Sequence, residues 1–79
     1  SQSLFHARDM LEAGERDGAR LVAAVREGMK GVKIDYVELV DAEEMTPVDV
    51  VQGHVLLAVA AWIDKTRLID NIKFDAGAS

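Results

Sequence analysis

Few residues of this chain combine a type and a spacing that could do chemistry. The two histidines, His6 and His54, have neither a second His nor a Cys at ligand spacing, so a structural or exposed role is the simpler interpretation. Asp41, Glu43 and Glu44 could gather magnesium, but three carboxylates around a turn more often form a solvated loop. No Ser-His-Asp arrangement, glycine-rich phosphate loop or nucleophile elbow can be assembled from the spacings. The sequence therefore predicts no catalytic, cofactor-binding or metal-binding residue in this chain.

Two cations near the C-terminus are the candidates for contact with an anion or with another domain. Lys65 and Arg67 stand next to a predicted strand reversal, where a cation can reach a phosphate without being buried. A surface pair with Asp64 or Asp70 is the simpler alternative. Arg67 and Asp70 fall on opposite faces of a predicted strand, however, so a direct pair between them would be awkward.

Two amphipathic helices are predicted in the first part of the chain. The first covers residues 4–13 and stops at Gly14, and the second is capped by Asp17 and closed by Gly31. Apolar side chains recur in both at helical spacing, namely Leu4, Ala7, Met10 and Leu11, then Leu21, Val22, Val25 and Met29. The linker of residues 14–16 is short, so the helices should be neighbours with one combined apolar face.

Three strands are predicted after the helices, over residues 32–41, 54–63 and 66–74. The first is rich in β-branched residues with charges between them, and Pro47 marks a loop before the second. The second is nearly all apolar, and we expect Trp62 to pack in the core or against another domain, with the core favoured. A reversal at residues 64–65 would join the second and third strands as a hairpin. The tail, residues 75–79, is expected to be loose.

These elements predict an α+β fold, a two-layer sandwich of two N-terminal helices against a small, mostly antiparallel three-stranded sheet. The 79 residues suffice for one core, so residues 1–79 are interpreted as a single domain. The chain has no cysteine, and its longest apolar run, nine residues, is too short to cross a bilayer that needs about 20. Residues 32–64 hold seven acidic side chains against one lysine, within a net charge of −5. Membranes and nucleic acids are therefore poor partners.

Several segments are similar to one enzyme family. Residues 56–72 resemble the C-terminal end of the pantothenate synthetases, also called pantoate-β-alanine ligases, and Lys-Thr-Arg-Leu-Ile-Asp-Asn at 65–71 is the most distinctive part. Residues 34–41 with Glu-Met-Thr-Pro at 44–47, and Ala-Gly-Glu-Arg-Asp at 13–17, resemble the same family. One departure is Asp64, because the family usually has Gly before the Lys-Thr-Arg block, and this departure bears on the geometry of the turn.

The resemblance implies a parent enzyme that joins pantoate to β-alanine with ATP, through a pantoyl adenylate, and that requires magnesium. Its chemistry would reside in an N-terminal nucleotide-binding domain with a His-containing phosphate motif and a Lys-Ser loop, neither of which occurs in these residues. This chain would then be the C-terminal lid domain, inactive alone, of a cytoplasmic and homodimeric enzyme. The absence of an initial Met fits an excised piece of a longer protein.

Two other interpretations stay open on the sequence alone. A stand-alone α+β interaction module could recruit a basic protein through the acidic middle segment. A small enzyme in its own right would need a convergent set of acid, base and nucleophile, which the spacings do not supply. A natural gene that begins near residue 1, with no nucleotide-binding domain before it, would favour the interaction module.

Overall fold

Five elements follow one another along the chain, close to the predicted bounds. The computed structural model describes residues 2–77. Its helices are α1 (Gln2–Glu12) and α2 (Gly18–Gly28), and its strands are β1 (Lys33–Asp41), β2 (His54–Ile63) and β3 (Thr66–Asp75). Neither described helix is long and apolar enough to cross a membrane.

The start of α2 is fixed by its cap and by a close backbone contact. The side chain of Asp17 accepts a hydrogen bond from the Ala19 N–H at 3.0 Å, as the sequence predicts. The N–H of Gly18 donates to the carbonyl of Asp49 at 2.8 Å, and a Cβ at position 18 would lie only 2.7 Å from that oxygen. Glycine at this position therefore lets α2 begin directly against the loop that leads into β2.

The sheet has the order β1-β2-β3, and both neighbouring pairs are antiparallel. Alternate residues of β2 face the helices, and the helices supply the other half of the core. The buried core consists of Leu4, Ala7, Leu11, Leu21, Val25, Val37, Leu39, Val51, Val55, Leu57, Val59 and Ile72. The predicted two-layer α+β arrangement is confirmed.

The loop between β1 and β2 folds back along the outer edge of β1. Val48 N–H donates to the Leu39 carbonyl at 3.0 Å, and Asp41 N–H donates to the Thr46 carbonyl at 2.8 Å. Pro47 lies opposite Val40 in an isolated bridge, at an edge position where a residue without an N–H is tolerated. Part of this edge is thereby covered, which limits pairing with other chains.

The β2–β3 hairpin closes through the two residues Asp64 and Lys65, between the paired residues Ile63 and Thr66. Asp64 has φ of 54°, in the left-handed region that favours glycine. The predicted reversal is confirmed, and Asp at this position is accommodated without a shift in the β2–β3 register. Its cost is backbone strain at one residue.

We expect Asp64→Gly to stabilise the domain. Relief of the left-handed strain should outweigh the greater freedom of Gly in the unfolded chain and raise the unfolding free energy by about 0.5 to 1 kcal/mol. Lys65→Gly is the matched control, because Lys65 is not among the residues with positive φ, and it should be destabilising. Urea unfolding followed by the fluorescence of Trp62, the single tryptophan, measures both. Equal effects of the two substitutions would contradict the strain at Asp64.

The predicted loose tail is wrong as far as residue 77. Asp75 ends β3, the Ala76 N–H donates to the Gly53 carbonyl at 2.8 Å, and the Gly53 N–H donates to the Gly77 carbonyl at 3.0 Å. Gly53 has φ of 60°, so the chain entering β2 turns toward the end of β3. Residues 78 and 79 lie outside the described part of the chain.

Candidate functional site

Within residues 2–77 no second layer lies over the face of the sheet opposite the helices, and we call it the open face. It carries apolar, aromatic and charged side chains together, and Ile69 is 60% exposed there although Ala60 beside it is buried. The cross-strand rows of the open face are Lys33–Trp62–Arg67, Tyr36–Ala60–Ile69, Glu38–Ala58–Asn71 and Val40–Leu56–Lys73. This face is available to a partner.

Three polar side chains form a hydrogen-bonded group at the hairpin end of the open face, and we call it the Asp35 cluster. Trp62 Nε1 donates to both carboxylate oxygens of Asp35, at 3.2 and 3.1 Å, and Arg67 Nε donates to Asp35 Oδ2 at 2.8 Å. Asp35 lies at a register shift in β1, between Ile34 and Tyr36, where a β-bulge adds one residue to the strand. The bulge lets the carboxylate reach side chains of two other strands.

The charges of the Asp35 cluster support one another. The hydrogen bond from Arg67 is the main cause that holds the pKa of Asp35 below its ordinary value, and the hydrogen bond from Trp62 and the charge of Lys33 act in the same direction. The Arg67 and Asp35 side chains remain 40% and 33% exposed. Within residues 2–77 neither Nη group of Arg67 donates a hydrogen bond. The guanidinium is thus fixed at one end and free at the other, an arrangement suited to an oxyanion.

The structure separates the two cations singled out in the sequence. Arg67 belongs to the Asp35 cluster, whereas Lys65 is an exposed residue of the hairpin loop that forms no ion pair within residues 2–77. The predicted surface pair of Arg67 with Asp64 or Asp70 is wrong, because Arg67 Nε donates its hydrogen bond to Asp35. Asp70 pairs in register with Val59 and so lies on the helix side of the sheet, away from Arg67. Contact of either cation with another domain stays a prediction.

Trp62 is not a core residue, contrary to the favoured interpretation. It pairs in register with Arg67 on the open face, is half-buried, and places its Nε1 against a carboxylate. The apolar run of β2 continues through both faces of the sheet, so hydrophobicity alone cannot assign a face to Trp62. The alternative contact, with another domain, stays a prediction.

The histidines lie apart from the Asp35 cluster. His6 is exposed on α1, and His54 Nε2 lies 3.5 Å from Asp75 Oδ2, its cross-strand partner at the other end of the hairpin. Both side chains of the His54 pair are more than half exposed. An exposed pair of this kind contributes little to stability.

The acidic turn after β1 uses its first carboxylate for the backbone. Asp41 Oδ1 accepts hydrogen bonds from the N–H groups of Glu43 and Glu44, at 2.8 and 2.9 Å, and the bond from Glu44, followed by that from Glu43, lowers the pKa of Asp41. Among residues 2–77 no group of three or more His, Cys, Asp or Glu side chains is placed to hold a metal ion.

Asp35 is the site residue that sequence reasoning missed. In the sequence it stands in an ordinary run of alternating apolar and charged residues. No glycine marks the bulge in β1, and the partners of Asp35 are 27 and 32 residues away in sequence. No local signal in the sequence could have identified it.

Known proteins match nearly the whole chain. A family model described as pantoate-beta-alanine ligase matches residues 1–73. Pantothenate synthetases from Fervidobacterium nodosum and Thermotoga neapolitana are 40% and 45% identical to this chain over 73 residues, and these matches cover 90% and 89% of it. The chain spans 26% of the length of each of these relatives.

A solved structure shares the fold. A crystal structure of pantothenate synthetase from Thermus thermophilus matches 90% of this chain with a TM-score of 0.77 and 24% sequence identity. The matched part is 26% of that chain. The two helices and the three-stranded sheet are therefore an arrangement already seen as part of a larger protein.

Proposed function

We propose that this chain, which belongs to the pantoate-β-alanine ligase family, is the C-terminal lid domain of a pantothenate synthetase. One observation carries the proposal: residues 1–73 match the family, yet the chain spans only 26% of the length of its relatives. The rest of a relative's length leaves room for an N-terminal nucleotide-binding domain. The open face of the sheet is partly apolar and carries Leu56, Trp62 and Ile69. This supports a role in which the open face contacts that domain.

The proposed reaction has two steps, both carried out in the other domain. The carboxylate of pantoate attacks the α-phosphorus of ATP, which forms pantoyl adenylate and releases pyrophosphate. The amine of β-alanine then attacks the acyl carbon, which forms pantothenate and releases AMP, with loss of a proton from the nitrogen. An acyl adenylate is readily lost to water, so a domain that excludes solvent from the cleft protects the intermediate.

The proposal assigns ATP and magnesium to the other domain. Among residues 2–77 no group of three or more His, Cys, Asp or Glu side chains is placed to hold a metal ion, and Asp41, the first carboxylate of the acidic turn, uses its Oδ1 for two backbone N–H groups. Lys65 and Arg67 are proposed as the residues that face the other domain or the phosphates of its nucleotide. The parent enzyme is proposed to be a cytoplasmic homodimer.

The stand-alone interaction module is the second candidate. The acidic segment from β1 to the start of β2 favours it, because a basic protein could be attracted there. The family match over residues 1–73 favours the lid domain instead, since it covers this same segment.

The experiment that tests the proposal assays two proteins side by side for pantothenate formed from ATP, pantoate and β-alanine. The full-length parent enzyme should form pantothenate with release of AMP and pyrophosphate, and the 79-residue chain alone should form none, because the chemistry is proposed to reside in the other domain. Circular dichroism of the isolated chain establishes that the inactive sample is folded. Full activity from the isolated chain, or none from the parent, would overturn the proposal.

A further inference from the structure

Arg67 is held in a way that leaves its guanidinium ready for a second partner. Its Nε donates to Asp35 at 2.8 Å, and Trp62 holds the same carboxylate from a neighbouring strand through Nε1. With two donors from two strands on it, the carboxylate is fixed in orientation. Arg67, being bonded to that carboxylate through Nε alone, keeps both Nη groups outside the pair. Two Nη groups of one guanidinium can bind an oxyanion through parallel hydrogen bonds.

The charges at the hairpin end of the open face favour an anion. Lys33 lies in the same cross-strand row as Trp62 and Arg67, so two cations stand beside the one carboxylate of Asp35. Lys65 lies outside the Asp35 cluster and is next to an acidic residue, Asp64, in the hairpin loop. A site with one excess positive charge, in a chain whose net charge is −5, is a local departure from the overall field. The nucleotide of the proposed parent enzyme supplies phosphate oxyanions that match this charge.

We propose that Asp35 is a positioning residue, which holds Arg67 by its Nε so that both Nη groups can bind a phosphate of the nucleotide in the neighbouring domain. This inference rests on the proposed function. It adds Asp35, on β1, to the two cations Lys65 and Arg67 of the β2–β3 hairpin. Arg67 touches the phosphate and Asp35 acts through Arg67. Without Asp35 the guanidinium is present but unrestrained. Binding of the phosphate must then order it, which lowers the affinity for the nucleotide.

A double-mutant cycle in the full-length parent enzyme tests the inference, with KM for ATP, KM for pantoate and kcat measured for each variant. Arg67→Ala should raise KM for ATP by about 10- to 100-fold, because a charged hydrogen-bonded contact is lost. Asp35→Ala should raise it by about 5- to 10-fold, and in the Arg67→Ala background it should change KM for ATP by less than about two-fold. KM for pantoate should stay unchanged throughout, a selectivity that a general structural defect would not give.

Two further variants keep the outcome interpretable. Asp35→Asn preserves the shape of the side chain and one acceptor oxygen, so it serves as the test if Asp35→Ala fails to fold. Its effect on KM for ATP should be smaller than that of Asp35→Ala but in the same direction. Arg26→Ala removes an exposed guanidinium from α2, away from the open face, and should leave KM for ATP unchanged. An Arg67→Ala enzyme that matches Arg26→Ala would overturn the inference, and so would an effect of Asp35→Ala that persists undiminished without Arg67.

The same series separates this inference from the proposed function. A wild-type parent enzyme that forms no pantothenate contradicts the proposed function itself. A wild-type enzyme that is active, with Arg67→Ala and Asp35→Ala equally active at every ATP concentration, contradicts the positioning role alone.

Discussion

Leu57→Ala is expected to lower the free energy of unfolding of this domain by about 3 to 4 kcal/mol, the largest stability effect of a single substitution that we predict. Leu57 is 1% exposed and lies at the middle of β2, on the side that faces the helices. Its cross-strand neighbours are Leu39 on β1 and Ile72 on β3, both buried. The cavity left by the substitution would lie inside the buried core that the helices and the sheet form together, so it could collapse only partly.

The matched control is the preceding residue. Leu56 is half-buried and lies on the open face, so Leu56→Ala removes the same atoms from a site without a second layer. We expect it to cost about 1 kcal/mol or less. Urea unfolding followed by Trp62 fluorescence measures both variants on the same footing. Equal costs for the two leucines would contradict the assignment of the helices to one side of the sheet.

The elements were predictable because their signals are local. Asp17 before an apolar helical stripe predicts the start of α2, and the structure places its carboxylate on the Ala19 N–H. The apolar pattern of residues 54–63 alone fits either a helix or a strand. Gly53 before this run and the charged residues 64–65 after it limit its length and favour a strand. The antiparallel hairpin then fixes the register of β2 and β3, since a short loop leaves few alternatives.

The candidate site was only half predictable, because it depends on pairing across the sheet. Arg67 could be singled out by its charge, but its partner Asp35 is 32 residues earlier in the chain and faces it through a β-bulge. Local sequence favours the nearest acidic residues, Asp64 and Asp70, as ion-pair partners of Arg67. Strand alternation removes Asp70, and a carboxylate from the edge strand β1 supplies the pair instead. Non-local contacts of this kind have no signature in a single sequence.

The face of Trp62 illustrates the same limit. Both faces of β2 are apolar, which is typical of a strand covered on both sides. In this chain the helices cover one face, and the other carries Leu56, Trp62 and Ala60 without a layer above them. An apolar central strand with only one covered face fits a domain whose second cover is supplied by another part of the protein.

Removal of this domain from the full-length parent enzyme is expected to lower the rate of pantothenate formation by about 100-fold or more, because the reacting groups lose both their solvent exclusion and their closed geometry. At ATP concentrations that saturate the truncated enzyme, and so compensate for the lost contact of Arg67, adenylate formation should be less affected than the second step, since the nucleotide site is proposed to lie in the other domain. Pantoyl adenylate made in an open cleft would be hydrolysed, and the enzyme would release AMP without making pantothenate. Leu56→Glu, which puts a charge on the open face and leaves the buried core intact, should shift the same balance in an enzyme of full length.

The measurement that tests the lid most directly is the ratio of AMP to pantothenate released in one reaction. The intact enzyme should release one AMP for each pantothenate, whereas the enzyme without this domain, and to a smaller extent the Leu56→Glu enzyme, should release AMP in excess. A truncated enzyme that forms pantothenate at the full rate, with one AMP for each, would show that the reaction does not need this domain as its cover.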